Sequence, residues 1–254
     1  FFLSMKDSVS SFHNALDASK VPHLDGAFGH DLVLLCEEIE SGAKLPVVEV
    51  APHDQERMEH CDVVVLGGTG FIGRYLVQHL IDKGLKVRVM ARSTANLPEI
   101  FHHKDVDVMQ GNVTNPRDVE VAIGDVKRVV NLAHGGGGSD REAIKNAMVG
   151  SAELVGEACL KAKVKHLVFI SSIAALYLGD EGDIIKPDTP VDEFGQKRND
   201  YAWAKGLAEK ALLRLHREQG LNVSIQRPGL VVGQGTPPFH SGLGFFNNEQ
   251  HCIG

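Results

Sequence analysis

The stretch that decides the fold is DVVVLGGTGFIGRYLVQHL, residues 62–80, in which four glycines separate an apolar run from an amphipathic one. Glycine there costs roughly 0.5–1 kcal/mol of conformational entropy relative to alanine, so something must offset it. Gly67, Gly70 and Gly73 stand three apart, directly after a strand-like run and opening a helix-like one. A bound pyrophosphate makes three demands that this spacing meets: a tight turn, close backbone approach, and close helix–strand contact. The helix N-terminus adds free N–H groups and a partial positive charge. A plain tight turn needs one or two glycines and not this spacing.

Outward from this stretch, strand and helix alternate as far as Pro228. The strand-like runs are 62–67, 86–92, 106–113, 126–133, 166–173 and 222–228. Between them the pattern predicts helices over 73–84, ending on Gly84, and over 116–123, capped by Asn115. Two more are predicted over 140–162 and from Asn199 or Asp200 to Gln219, stopped by Gly220. β-Branched runs without alternation suit strands buried on both faces, and parallel neighbours need crossover helices. The expected fold is α/β, a Rossmann-type doubly wound parallel sheet.

The first 55 residues stand outside that pattern. They read as two amphipathic helices, 8–20 and 29–43, and a short strand, 44–50. The expected organisation is an extension over 1–50, a polar linker over 51–60 and a dinucleotide-binding domain over 61–254. The chain opens on Phe1 and closes on FFNNEQHCIG without a recognisable helix or strand. Both ends therefore read as cut, with the substrate-binding part shortened.

Composition narrows the function classes. A formal net charge of −7 argues against non-specific nucleic-acid binding, which runs on clustered Lys and Arg. Four dispersed cysteines without a C-x-x-C suit a reduced, cytoplasmic chain. The longest apolar stretch, HLVFISSIAALYLG, contains two serines and falls short of the roughly 20 residues of a membrane helix. No signal peptide is recognisable. Thirteen histidines form no H-x-x-x-H pair and no cluster with carboxylates, so no metal is expected. His102 and His103 read as solvated loop residues, His134 as a neighbour of the cofactor site, and Trp203 as a packing residue.

DYAWAKGLAEK sets Tyr201 and Lys205 four apart at a helix start, hence on one face. Tyrosine is a poor base at neutral pH unless a neighbouring ammonium favours the phenolate. FISSIAALY supplies Ser171 and Ser172 at a strand end, and strand alternation sends their hydroxyls to opposite sides. The second strand ends VMARST, with Arg92 and Ser93 in place of a carboxylate. A carboxylate there would repel a ribose 2′-phosphate, whereas a guanidinium pairs with one. NADP is therefore favoured over NAD.

G-x-x-G-x-x-G with Thr69, Phe71 and Ile72 resembles the extended short-chain dehydrogenase/reductases, the NAD-dependent epimerase/dehydratase family, over about residues 62–240. The resemblance implies cofactor contacts at Gly67, Gly70, Phe71, Ile72, Gly73, Asn112, Val113, Ala133, Lys205 and Pro228. Asn112 stands where the family has an aspartate facing the adenine. Ser172 aligns with the family's catalytic serine, beside Tyr201 and Lys205. Asn146 is one place out of line with a family asparagine, whose position Ala147 takes. The implied chemistry is hydride transfer to or from a hydroxyl or carbonyl carbon, with a nucleotide-activated sugar as the expected substrate. A ketone reductase of flavonol-like or steroid-like substrates is the alternative, and a non-catalytic sensor or assembly factor is a third. A small-molecule substrate is expected as partner, a homodimer stays open, and neither nucleic acid nor membrane is expected. The first 45 residues or so resemble the carboxyl-terminal end of the Gfo/Idh/MocA oxidoreductases.

Overall fold

The computed structural model describes residues 10–11, 13–15, 17–20, 26–42, 58–134, 140–176, 184–197, 199–235, 245–246 and 252–253. The expected strand at 44–50, most of the linker, and the sequence runs GGGG at 135–138 and DEGD at 180–183 lie outside these residues. Val50–Thr236 forms one compact unit, and Phe1–Glu49 with Pro237–Gly254 a second.

Among the described residues, the larger unit carries six strands: β1 (Val63–Leu66), β2 (Val87–Ala91), β3 (Val106–Gln110), β4 (Arg128–Asn131), β5 (His166–Ile170) and β6 (Val223–Gln226). All neighbours pair in parallel, in the order β3-β2-β1-β4-β5-β6. Successive strands run outward from β1 to one edge and then, from β4, to the other. The crevice between β1 and β4 is thus the point where the winding reverses, the place such sheets offer to ligands.

β1 explains its own sequence. Val63 and Val65 enter one core cluster with Val77, Val87, Val89, Phe101 and Val106. Val64 and Leu66 enter the other, with Val129, Val155, Phe169 and Leu212. Both faces are dry, so no polar residue could be tolerated at alternate positions. Each such side chain contributes roughly 1.5–3 kcal/mol through burial.

Short helical pieces are described at 10–11, 13–15 and 17, and the α-helices whose bounds lie among the described residues are α1 (Gly26–Gly42), α2 (Phe71–Asp82), α3 (Pro116–Ile123), α4 (Arg141–Lys161) and α5 (Asp200–Gln219). Asn115, Asp140 and Asn199 each cap the helix that follows by accepting a backbone N–H through the side chain. Asn199, and not Asp200, is therefore the cap of α5. Gly220 ends it in the left-handed region. α2 starts at Phe71, two residues earlier than expected, because extended Gly70 is its cap. The strands end sooner than their apolar runs, since Leu132 and Ala133 lie beyond the last ladder pair at Asn131. His102 closes a short 3-10 helix (Glu99–His102) instead of lying in a loop.

In the smaller unit, α1 leaves Leu32, Val33, Leu34 and Leu35 about half exposed. Phe245–Phe246 and Cys252–Ile253 pair antiparallel as β7 and β8, correcting the expectation that the final stretch holds no strand.

Candidate functional site

The residues expected to hold the cofactor or carry the chemistry sit past the carboxyl end of a strand or on the first turns of a helix that follows one. Gly67 leaves β1 with φ +78°, and a Cβ there would lie 2.9 Å from Ala133 N. The two loops beyond β1 and β4 thus touch, and only glycine lets them. At Gly73 a Cβ would meet Gly68 O at 2.4 Å, so the start of α2 rests directly on the turn. Gly70 differs: its Cβ would find only Gly67 O, at 3.4 Å. Its openness serves whatever approaches from outside. Gly68, outside the three-residue spacing, is needed for packing, because a Cβ there would collide with Val89 Cγ1 at 2.8 Å.

The mouth of α2 lacks a side-chain cap. Gly70 N–H donates to Gly67 O and Arg74 N–H to Gly70 O, but no acceptor among the described residues takes the N–H groups of Phe71, Ile72 or Gly73. Three free donors at the positive end of a helix dipole fit a diphosphate, and the glycine cradle leaves it room. The Phe71 ring stacks edge-on with Tyr75, 5.6 Å between centroids, and lies below the Arg74 guanidinium. Arg74 Nη2 and Tyr75 Oη both donate to Gln234 O, tying the 230–235 segment to α2.

Beyond β2, Arg92 is exposed and its side chain has no partner among the described residues. Its carbonyl accepts from Gln110 Nε2 at 3.2 Å, and Ser93 Oγ accepts from Ala95 N–H. Beyond β3, Asn112 spends its side-chain oxygen on Thr114 N–H, 3.1 Å, and leaves its amide NH2 as the group facing outward chemistry. Val113 is 7% exposed within the core, so only its backbone is offered to a ligand. Beyond β4, buried Asn131 accepts from Ala133 N–H at 3.0 Å and shapes the loop that meets Gly67. Sequence reasoning passed over Asn131; its signal was an amide at the end of an apolar strand. His134 is exposed.

Ser171 and Ser172 both lie past the last β5 pair, and their hydroxyls part company as alternation requires. Ser171 is buried and donates to Glu209 Oε1. Ser172, half-buried, accepts from Ala174 N–H at 3.2 Å and opens a 3-10 turn (Ile173–Ala175). Pro228 joins the same loop, accepting Ile173 N–H at 3.0 Å.

Tyr201 and Lys205 lie on the first turns of α5. Tyr201 is 46% exposed, and its hydroxyl has no hydrogen-bond partner among the described residues. Lys205 is 4% exposed, donates to Ile170 O at 2.9 Å and stands 5.8 Å from the Tyr201 ring centroid. Burial pulls its pKa down to about 8, an effect that the nearby Glu209 carboxylate partly opposes. Trp203, on the other side of the helix, stacks under Arg141 with 4.3 Å from Cζ to the ring centroid. Among the described residues, no group of three His, Cys, Asp or Glu could hold a metal, and no helix is long and apolar enough to cross a membrane.

The chain has relatives among known proteins. The NAD dependent epimerase/dehydratase family matches residues 63–245, most of the chain. The chain belongs to that family. Its curated relatives include noscapine synthase SDR1 of Papaver somniferum, 28% identical over 67% of this chain and 56% of that protein. The 2-alkyl-3-oxoalkanoate reductase of Shewanella oneidensis is 29% identical over 68% of this chain and 45% of its own. Cinnamoyl-CoA reductase 2 of Arabidopsis thaliana is 27% identical, covering 71% and 57%. The chain spans about half the length of these curated relatives. Among solved structures, gox2253 superposes with a TM-score of 0.59 at 28% identity, over 66% of this chain and 51% of that one. The Thermus thermophilus UDP-glucose 4-epimerase complex with NAD gives a TM-score of 0.59 at 25% identity, over 71% and 58%. The expected fold and the resemblance to the epimerase/dehydratase family stand.

Proposed function

We propose that this chain is the cofactor-holding part of an NADP(H)-dependent oxidoreductase acting on a hydroxyl or carbonyl carbon. The observation that carries the reading is the pairing of Tyr201, exposed and without a hydrogen-bond partner among the described residues, with the buried amine of Lys205 one turn below. A pKa of about 8 leaves Lys205 largely protonated at neutral pH, so a cation sits beside the phenol where a phenolate would need one. The free N–H groups of Phe71, Ile72 and Gly73 would hold the diphosphate, and Gly70 would admit it. When bound, the nicotinamide supplies the hydride acceptor or donor.

In oxidation, Tyr201 takes the hydroxyl proton as the carbon gives up its hydride, and a C=O bond forms. In reduction it returns that proton. Ser172 would hydrogen-bond the substrate oxygen beside Tyr201, and Lys205 would hold the nicotinamide ribose hydroxyls. Gly67, Ala133 and Pro228 would line the cofactor's path, while Asn112 and the Val113 backbone would meet the adenine.

Ketone or aldehyde reduction is the preferred net reaction. Arg92 in place of a carboxylate suits NADP(H), and the three curated relatives described above include two named as reductases. A nucleotide-activated sugar is the second reading, favoured by the resemblance to the Thermus thermophilus epimerase. Fluorescence titration with NADPH and NADH, followed by carbonyl substrates, separates them. Steady NADPH consumption supports the reductase. Retained cofactor without net turnover supports the epimerase. Failure of the complete protein to bind either nucleotide overturns both.

A further inference from the structure

Tyr201, Lys205 and Glu209 follow one another at intervals of four along the inner face of α5. Burial deepens along that line, from 46% exposure through 4% to none. A fully buried carboxylate is costly unless its oxygens are satisfied. Those of Glu209 are: Oε1 accepts from the Ser171 hydroxyl, both oxygens accept from Arg227 Nε, and Oε2 accepts from Arg227 Nη2 at 2.7 Å. Arg227 is held in turn by Thr189 O, 2.9 Å from Nη1.

What this carboxylate grips is specific. Ser171 and Arg227 are the residues immediately after Ile170 and Gln226, which face each other as the last pair of β5 and β6. Ser171 N–H donates to Gln226 O at 2.7 Å, closing the junction. Ile170 O is the acceptor of the Lys205 amine. A carboxylate needed only to neutralise Arg227 would have no use for a serine on the neighbouring strand. Buried ion pairs add little stability over apolar replacements, so stability alone does not explain this one.

We propose that Glu209 is a positioning residue for the Tyr201–Lys205 site: by clamping Ser171 and Arg227 it fixes the Ile170 carbonyl, and through that carbonyl the Lys205 amine. This rests on the reading of Lys205 as a cofactor-holding group. The carboxylate itself touches neither cofactor nor substrate.

The test is a double-mutant cycle in the complete protein, with NADPH as the probe and circular dichroism to verify folding. Glu209→Gln and Lys205→Met should each weaken NADPH binding about tenfold, and the double variant should bind no more weakly than Lys205→Met alone. Ser171→Ala keeps the ion pair and serves if Glu209→Gln fails to fold. It should weaken binding about threefold, and not at all in the Lys205→Met background. Equal losses with and without Lys205 would overturn the proposal, since they mean generic structural damage. So would folded Glu209 and Ser171 variants with wild-type affinity while Lys205→Met binds weakly, a result that leaves the functional reading intact. No effect from Lys205→Met would sink that reading, and the proposal with it.

Discussion

The Lys205 amine donates to the Ile170 carbonyl, 2.9 Å away, at the end of the strand that also delivers Ser171 and Ser172. That bond sinks a cation into the interior with one backbone oxygen and a nearby carboxylate for company. Burial consequently outweighs the carboxylate and draws the amine down from 10.5 to about 8.

A pH-dependent stability follows. Below about pH 8 Lys205 is charged in both folded and unfolded chains, and the folded state carries the full cost of the buried ammonium. Between about 8 and 10.5 the unfolded chain holds a proton that the folded chain has lost, so stability rises with pH. The whole shift is worth about 3 kcal/mol. Urea unfolding of wild type and Lys205→Met across this range should show wild type gaining on the variant by that order. A constant difference would contradict the buried-ammonium account.

Tyr201→Phe should leave thermal stability and NADPH affinity near wild type, because the lost hydroxyl makes no hydrogen bond among the described residues. Turnover in the complete protein should fall by about a hundred- to ten-thousandfold, the usual share of a general acid–base group. Ser172→Ala should lower turnover as well, with little change in melting temperature, since among the described residues its hydroxyl accepts a single 3.2 Å bond, from Ala174 N–H. Unchanged turnover in both variants would remove this constellation from the chemistry.

Much of this was legible in the sequence because the sheet is buried on both faces. Unbroken runs such as Val63–Leu66 mark parallel strands, and asparagine and aspartate caps mark helix starts. Strand ends were less legible, because Leu132 and Ala133 stay partly buried beyond the last ladder pair, Leu66 with Asn131. Alternation predicted that Ser171 and Ser172 diverge, yet nothing local said which turns inward. That depends on Glu209, distant in sequence, and a glutamate on a helix ordinarily reads as solvated. The available hint was its place one turn beyond Lys205, between Ala208 and Leu212 on the apolar face. Gly68 was hidden for the same reason: its partner, Val89, belongs to the next strand.

The glycines of the turn should respond differently to one added methyl. Gly73→Ala places a Cβ 2.4 Å from Gly68 O, and backbone cannot yield as a side chain would. A loss of about 1–3 kcal/mol is expected in chemical denaturation. Gly70 has φ −70° and open space, so Gly70→Ala should fold with nearly wild-type stability. Its methyl would instead stand where the diphosphate is proposed to approach, and NADPH affinity should drop about tenfold or more. Equal behaviour of the two variants would mean that the turn is built for packing alone.

Arg92 carries the choice of nucleotide. Its backbone is anchored through Gln110, while its guanidinium is exposed and, among the described residues, unpartnered. A hydrogen bond to a charged group contributes roughly 1.5–3 kcal/mol, so Arg92→Ala should weaken NADPH binding about ten- to a hundredfold. NADH lacks the 2′-phosphate and should bind the variant as it binds wild type. Arg92→Glu should go further, repelling NADPH while its carboxylate accepts from the free ribose hydroxyl of NADH. Raised ionic strength should narrow the NADPH advantage of wild type, because the exposed pair is screened over about 8 Å at physiological salt. If Arg92→Ala weakened both nucleotides alike, or neither, Arg92 would be a solvated loop residue and the preference for NADP(H) would lose its physical basis.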